Sequence, residues 1–488
     1  MKCEVRGICG GCDPAQSTDA SPHSKSALTT KATALRTLLR AYTLPHLSIY
    51  ASPDSGYRAR GEFRVYKDYK PDSAPKLSLS MSARGHNSRV KLSNCPILLP
   101  ALQRTLEKLM PLLESSPLLS HKIYAIEVLG SRFGTLDSAV KSATPPQSIK
   151  KTALDSTTTL YTIAHDHAQH SDVIITLIYH KPLDSSFCHA TNNLLETLRE
   201  ALHTNCPPPL ANPPHQPHAT IQALTLIARS KNQKHIFSST PPESTSAKSH
   251  FLESSVPESS TLDSMDSGAA MRKPPNQGES TLDTRDMICD VLMLDKPYTY
   301  LRQEGRFCQP NAYMNPCMLS FVKRKIHAHT REDLLEMYGG DGNFSIALAE
   351  CFDKVLVTEV VKSAHALIAH NAHRNNITNI TSARLSGAET ISALRRQREF
   401  FRLRGVELEQ FRFSHVLVDP PRSGIGDEAM LDFLASFPYI IYISCNPTSL
   451  EADLRILCQS HVIEHFALFD QFPHTSHKEC ALLLRKSS

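Results

Sequence analysis

Glycine is scarce in this chain, at 18 of 488 residues, which excludes a collagen-like or other fibrous repeat. No apolar run approaches the ~20 residues that a membrane-spanning helix needs, so no membrane partner is expected. The first residues, MKCEVRGICGGCD, lack the apolar stretch of a secretory signal. Export is therefore not expected, and the cytoplasm is the expected location. No long basic run concentrates the net charge of +5, which leaves only a diffuse hint of an anionic partner and does not by itself name RNA. No internal repeat is visible. What is present is enough length for two or three domains with real cores. The 13 cysteines should stay reduced in a cytosol, shared among catalysis, metal binding and plain burial.

Patterning divides the chain unevenly. Residues 1–50 read as an N-terminal appendage, with three closely spaced cysteines followed by a Ser/Thr/Lys-rich passage and an apolar-periodic stretch around Leu35, Leu38 and Leu39. Residues 51–300 read as an α+β domain. Between Tyr57 and Leu92, apolar residues alternate with polar ones at the period of half-buried antiparallel strands, DVIITLIYH at 172–180 adds another strand, and Leu194, Leu195, Leu198 and Leu202 follow at helical spacing. Three passages are too rich in Ser, Thr, Pro and charge to bury a core, and are expected to be disordered insertions: about 140–157, 206–218 and 238–285. Residues 301–488 change character. Short apolar runs (DLLEMY, KVLVTEV, HVLVD, YIIYIS) alternate with helical patterns, which predicts an α/β, Rossmann-like doubly wound sheet whose ligands lie beyond the carboxyl ends of the strands.

Each of those strand ends carries polar residues. YGGDGNF supplies a glycine-rich turn, and Glu359, at the next strand end, is an acceptor suited to both ribose hydroxyls of a nucleoside. Ser345 stands where a dinucleotide fingerprint has its third glycine, which favours S-adenosylmethionine over a nicotinamide. VDPPRSG holds Asp419 on a stiff, exposed turn. Cys445 falls where the strand run YIIYIS stops, in the same layer as Gly340 and Asp419, so a thiol there is a candidate nucleophile rather than a small buried hydrophobe. At the chain's end FALF and ALLL read as two strands joined by a long turn, with Glu479 where the second begins.

Taken together, FCQPNAYMN (307–315), LLEMYGGDGNFSIALA (334–349), REFFRLRG (398–405), VDPPRSG, YISCNP and LFDQFPHTSHKECALL resemble the RNA uracil-5 methyltransferase family, and within it the tRNA branch. The likeness is dense over about 300–486 and looser through YRARGEFRVY (57–66) and LIARSKNQK (226–234). The resemblance implies a methyltransferase domain preceded by an RNA-binding domain, S-adenosyl-L-methionine as cofactor and tRNA as substrate and partner. It implies methylation of a uridine at carbon 5, with the T-loop uridine as the expected target and tmRNA as a further substrate. It also makes Cys445 the nucleophile and Glu479 the general base, and lines the cofactor site with Gln309, Tyr338, Gly340, Asn343, Glu359 and Asp419. Where the family motif carries a cysteine, this chain has Gly339, a loop residue without a catalytic role.

The implied chemistry is self-consistent. Carbon 5 of uracil is a weak nucleophile until a thiolate adds to carbon 6, and the adduct then needs a base to remove the carbon 5 proton before elimination. Arg58, Arg60 and Arg64, interleaved with Tyr57, Phe63 and Tyr66, are candidate phosphate contacts and stacking surfaces. Cys3, Cys9 and Cys12, with Cys95 further on, resemble the four-cysteine iron-sulfur site of the family's ribosomal RNA branch and suit a [4Fe-4S] cluster or zinc. Two alternatives therefore stand beside the tRNA reading: 5-methyluridine formation in 23S ribosomal RNA, and an RNA-binding folding helper with secondary catalysis. No obligate protein partner is expected.

Overall fold

The computed structural model describes residues 3–13, 25–68, 76–135, 149–163, 168–203, 218–238, 283–326 and 332–487. The apolar runs of the last third become five parallel strands, Asp333–Met337, Val355–Thr358, Ile380–Ala383, Phe413–Val418 and Tyr439–Ser444, with helices between them. The side chains of Leu334, Leu335, Val355–Val357 and Val416–Val418 are buried, as expected when helices cover both faces of a parallel sheet. Ile380–Ala383 is an edge strand, and Asp333–Met337 lies between Val355–Thr358 and Phe413–Val418. Beyond Tyr439–Ser444, the last strand, Glu479–Lys486, runs antiparallel and is wedged between it and His461–Phe469.

The sheet does not stop there. Leu47–Ala51 pairs in parallel with His461–Phe469, and Thr158–Ile163 pairs in parallel with Leu47–Ala51. Ile149–Asp155 closes a hairpin on that edge, giving ten strands in all. Phe469, Tyr50 and Tyr161 stack across these three neighbours, with ring centroids 4.9 and 4.8 Å apart. Two sequence expectations change as a result. The passage expected to be open over 140–157 holds a strand from Ile149 to Asp155, because the backbone ladder to Thr158–Ile163 orders a segment with few apolar side chains of its own. Nor do residues 1–50 stand apart as an appendage. Leu28, Ala32 and Leu35 of the helix Lys25–Leu38, with Leu39 just after it, share one core with Leu335, Val416, Ile440 and Leu482, since the face of the large sheet is what buries the helix's apolar stripe. The insertions expected at 206–218 and 238–285 lie, apart from their ends, outside the described residues.

A second, seven-stranded sheet runs in the order Gln233–Ser238, His218–Ser230, Ala168–Tyr179, Ile123–Gly130, Arg60–Asp68, Lys76–Ser82, Arg89–Leu92. It is antiparallel except where Ala168–Tyr179 and His218–Ser230 run side by side. Helices Pro100–Ser115 and Ser185–His203 pack on it through Leu102, Leu109, Leu194 and Leu198. The backbone ties the two sheets together, for Ala59 donates to the Pro310 carbonyl (2.8 Å) and Ala312 to the Tyr57 carbonyl (3.0 Å). Tyr57 and Phe63, read from the sequence as stacking surfaces, are 2% and 3% exposed and belong to the core, whereas Tyr66 reaches solvent.

The N-terminal helix is also fastened by charge. Lys31 Nζ donates to Asp470 Oδ1 at 2.7 Å and to the Phe472 carbonyl at 3.0 Å, and both charged side chains are 3% exposed. Removing one partner of a buried pair strands the other charge, whereas replacing both with apolar groups of similar volume does not. Lys31→Ala should therefore destabilise the protein by roughly 3–5 kcal/mol in urea denaturation. Lys31→Met combined with Asp470→Leu should recover most of that loss. Equal destabilisation by the single and double variants would contradict this account of the helix's attachment.

Candidate active site

The glycine-rich turn is built by exclusion and by anchoring. After Asp333–Met337 the backbone takes a left-handed turn at Tyr338 (φ 62°), and a Cβ on Gly339 would run into Val357, which fills the space that a larger residue here would need. Gly342, at φ 86°, opens the helix Asn343–Leu348 in a conformation few other residues tolerate. From outside the turn, Arg302 of the hairpin strand Pro297–Gln303 holds Asp341 with two bonds of 2.8 and 2.7 Å and donates to Asn343 Oδ1 at 2.9 Å. Asn343 and Asn315 exchange amide hydrogen bonds of 2.9 and 3.0 Å. Arg302 is 3% exposed, so the turn is set by a desolvated, charge-assisted pair in which one guanidinium nitrogen bonds both Asp341 oxygens and the other bonds Asn343.

A cavity of about 220 Å³ opens over this turn, and all six residues expected at the cofactor site line it: Gln309, Tyr338, Gly340, Asn343, Glu359 and Asp419. Glu359 is held in place by the amides of Gly340 (2.9 Å) and Val361 (2.7 Å). Gln309 donates to Asp419 Oδ2 at 3.3 Å and accepts from Gln471 at 2.7 Å. Carboxylates beside the apolar walls of Phe344, Val361 and Leu367 suit a nucleoside that presents hydroxyls and a flat ring, so the residues fit S-adenosylmethionine. Sequence reading missed one member of this cavity. Glu336 lies in the middle of the strand Asp333–Met337, is buried, and burial pushes its carboxyl up to about 8, while its Oε2 has no hydrogen-bond partner among the described residues. An acid inside the apolar run DLLEM was the available signal.

Cys445 and Glu479 meet through strand register. Ser444, the last residue of its strand, is paired with Cys480 on the antiparallel strand, so the next residue of each, Cys445 and Glu479, leaves the ladder at the same point. Asn446 then caps the helix Pro447–Leu457, accepting from Thr448, which stops the strand at the cysteine. Burial and the neighbouring Glu479 and Asp419 push the Cys445 thiol up, and Arg422 pulls it back. Burial and Asp419 raise Glu479 well above the ordinary carboxylate range, and burial alone brings Asp419 to about 7. Asp419 thus lines the cofactor cavity and bears electrostatically on the thiol and its partner acid. Asp470, the acid that follows the strand His461–Phe469, is bound to Lys31.

Two further residues shape this centre. Asp453, 2% exposed, accepts from the amides of Ile425 (2.8 Å) and Gly426 (3.0 Å) and from the Tyr442 hydroxyl (2.5 Å), and so pins the loop that follows Asp419. Its signal was an acid on the apolar face formed by Leu450, Leu454 and Leu457. The Arg422 carbonyl accepts from Asn446 (2.9 Å) and Ser449 (3.2 Å), which ties that loop to the residue after Cys445.

The four N-terminal cysteines come together. Cys3, Cys9, Cys12 and Cys95 line a cavity of about 380 Å³, where burial and mutual proximity push Cys12 up to about 11 and Cys95 to about 12. Among the described residues no three acidic, histidine or cysteine side chains stand close enough to hold a single metal ion. A neighbouring groove of about 430 Å³, lined by Arg58, Arg60, Arg306 and Phe307, by Arg229 with its partners Glu127 and Glu304, and by Glu62, shares residues 305–308 with the cofactor cavity. Arg64 lies over the ring of Tyr124 at 3.8 Å.

Known proteins with this organisation are close at hand. A tRNA/tmRNA (uracil-C(5))-methyltransferase of Helicobacter hepaticus is 36% identical over 504 aligned positions, covering 100% of this chain and 99% of that protein. Another from Wolinella succinogenes is 32% identical, covering 100% of both. Among solved structures, the Pyrococcus abyssi tRNA (uracil-54, C5)-methyltransferase in complex with S-adenosyl-L-homocysteine has a TM-score of 0.53 at 16% identity, covering 94% of this chain and 82% of that one, a likeness of fold. The sequence profile of tRNA (uracil-5-)-methyltransferases matches residues 23–140 and 277–487, and the chain belongs to that family.

Proposed function

We propose that this protein transfers a methyl group to carbon 5 of a uridine in tRNA and in tmRNA, the T-loop uridine being the expected target, through a covalent adduct between Cys445 and carbon 6. The relatives named above support the substrate class. The observation that carries the mechanism is the meeting of Cys445, Glu479 and Asp419 where two antiparallel strands leave their ladder beside the cofactor cavity.

S-adenosylmethionine, when bound, supplies an electrophilic methyl group. Glu336 and Glu359 would hold its polar groups, with Asp419 and Gln309 at the side nearer Cys445. The target uridine must leave its stack, at a cost of a few kcal/mol, and the arginine-lined groove beside the cavity is where flanking phosphates would be held. Cys445 loses its proton to solvent, and the thiolate sulfur bonds to carbon 6, placing the electron pair of the 5,6 double bond on carbon 5. After carbon 5 has taken the methyl group, the Glu479 carboxylate removes the proton left there, and the carbon–sulfur bond breaks to restore the thiolate and the double bond. A carboxyl whose pKa is raised by burial is a stronger base once ionised.

Cys445→Ala should abolish methylation while leaving tRNA binding largely intact, and only the wild type should form a denaturation-resistant adduct with 5-fluorouridine tRNA. Glu479→Gln should instead accumulate covalent enzyme–RNA on unmodified substrate. Turnover near the wild-type rate in the alanine variant would defeat the mechanism. Because the Cys445 thiol must ionise before it adds to carbon 6 and is shifted upward, kcat/KM should climb about tenfold per pH unit below neutrality. A profile flat from pH 5 to 7 would contradict this assignment.

We further propose that Cys3, Cys9, Cys12 and Cys95 hold a [4Fe-4S] cluster. Zinc would draw the four sulfurs to roughly 3.8 Å from one another, given Zn–S bonds of about 2.3 Å. What supports a cluster, in which each thiolate binds its own iron, is that the four cysteines line one cavity and that Cys9, Cys12 and Cys95 lie close enough to raise one another's thiols. Anaerobically purified protein should be brown with about four irons per chain. Cys12→Ser should bleach it without loss of cofactor binding. Colourless protein free of iron would refute the assignment.

A further inference from the structure

The motif REFFRLRG is not used by the reaction above, and its place in the fold gives it another use. It belongs to the segment between the helix Gly387–Leu394 and the strand Phe413–Val418, where Arg395, Arg396, Arg398, Arg402 and Arg404 are all exposed, with Glu399 the one acid from 395 to 404 and Glu407 and Glu409 following. Arg402 fastens the segment to the carboxyl end of the edge strand Ile380–Ala383, donating to the Arg384 carbonyl at 2.6 Å and to Glu389 at 2.5 Å. That is the end of the sheet where the cofactor cavity opens. Phe401 is 75% exposed, more than any other large hydrophobic residue among those described. The Arg404 guanidinium lies 4.2 Å from its ring centre, and that of Arg398 5.0 Å from the ring of Phe400. Arg396 pairs with Glu409 at 3.5 Å, but Arg398 and Arg404 have no carboxylate partner among the described residues. Beside them is a cavity of about 670 Å³ lined in part by Phe400, Phe411 and Phe433.

An exposed phenyl ring with unneutralised guanidinium groups stacked on neighbouring rings gains nothing from folding. It matches the two features of RNA that a protein reads without sequence: phosphate charge and the faces of unstacked bases. The edge strand is four strands from the one that ends at Cys445, roughly 19 Å at the usual ~4.8 Å spacing. That is beyond the reach of the flipped nucleotide and within reach of the RNA on either side of it. We infer that Phe401, Arg398 and Arg404 form a second contact for the substrate tRNA, outside the loop that holds the target uridine. The inference rests on tRNA being the substrate, as proposed above.

The test compares full-length tRNA with an isolated hairpin of the target arm, measuring both Kd and methylation kinetics for the wild type and the triple variant Phe401→Ala, Arg398→Ala, Arg404→Ala. The variant should raise Kd and KM for full-length tRNA about tenfold, leave kcat unchanged, and act on the hairpin as the wild type does, which also reports that it is folded. Its slope of log Kd against log salt should fall by about 1.5, for two lost phosphate contacts. Arg404→Lys, which keeps the charge and loses the planar stack, should give an intermediate loss. Equal loss on both RNAs, or none on either, overturns the inference. So does unchanged tRNA binding in a variant that has lost affinity for polyglutamate, which would mark an acidic-protein surface. Wild-type protein that binds tRNA without methylating it would defeat the proposed function, and the Kd comparison would still decide this one.

Discussion

The register between Tyr439–Ser444 and Glu479–Lys486 is the constraint on which the centre depends. A parallel strand delivers its last residue to the cofactor end of the sheet, and an antiparallel neighbour delivers its first residue to that same end. With Ser444 opposite Cys480, the thiol and the acid emerge side by side although 33 intervening residues separate them in sequence. A slip of one residue would turn Glu479 to the other face of the sheet. The ladder is protected from slipping because Glu479–Lys486 has a partner on each side and residues 480–484 are buried.

Burial then sets the electrostatics. Cys445 and Glu479, which ionise in the proposed cycle, and Asp419 beside them sit where water is largely displaced; Asp419 raises the cost of charging both, and Glu479 that of charging Cys445. Arg422 is the cation that opposes this, and its loop is held from below by Asp453 and from the side by Asn446 and Ser449. The cofactor turn follows the same rule, with Arg302 supplying the buried positive charge for Asp341. In both places a charged residue remote from the reacting atoms fixes a loop whose own sequence is short and glycine- or proline-rich.

The N-terminal third is part of this centre. Its helix shares the core of the large sheet, its strand Leu47–Ala51 extends that sheet beyond His461–Phe469, and Lys31 neutralises Asp470 at the start of the loop leading to Glu479. The cysteine loop abuts the same region, since Asp13 donates to the His474 carbonyl at 2.6 Å and His474 lines the cysteine cavity. A group bound by those cysteines would therefore brace the loop that leads to Glu479.

By itself the sequence determined the local structure of the last third. Each apolar run there is long enough and isolated enough by turns to have one plausible conformation, and the strands of DLLEMY, KVLVTEV, HVLVD and YIIYIS lie where periodicity puts them. The identities at the strand ends, Glu359, Asp419 and Cys445, were legible for the same reason, because a βαβ alternation fixes which end of each strand faces a ligand. Glu479 had no such local cue and was given a role through family likeness. Pairing across long stretches of chain had to come from the tertiary structure. Leu47–Ala51 and Thr158–Ile163 join the large sheet, Tyr57 and Phe63 turn inward, and Arg302 and Asp453 become structural charges, all through partners between 11 and several hundred residues away. Period and composition describe which face of a segment is apolar, but which other surface covers that face is decided only when the segments are packed against one another.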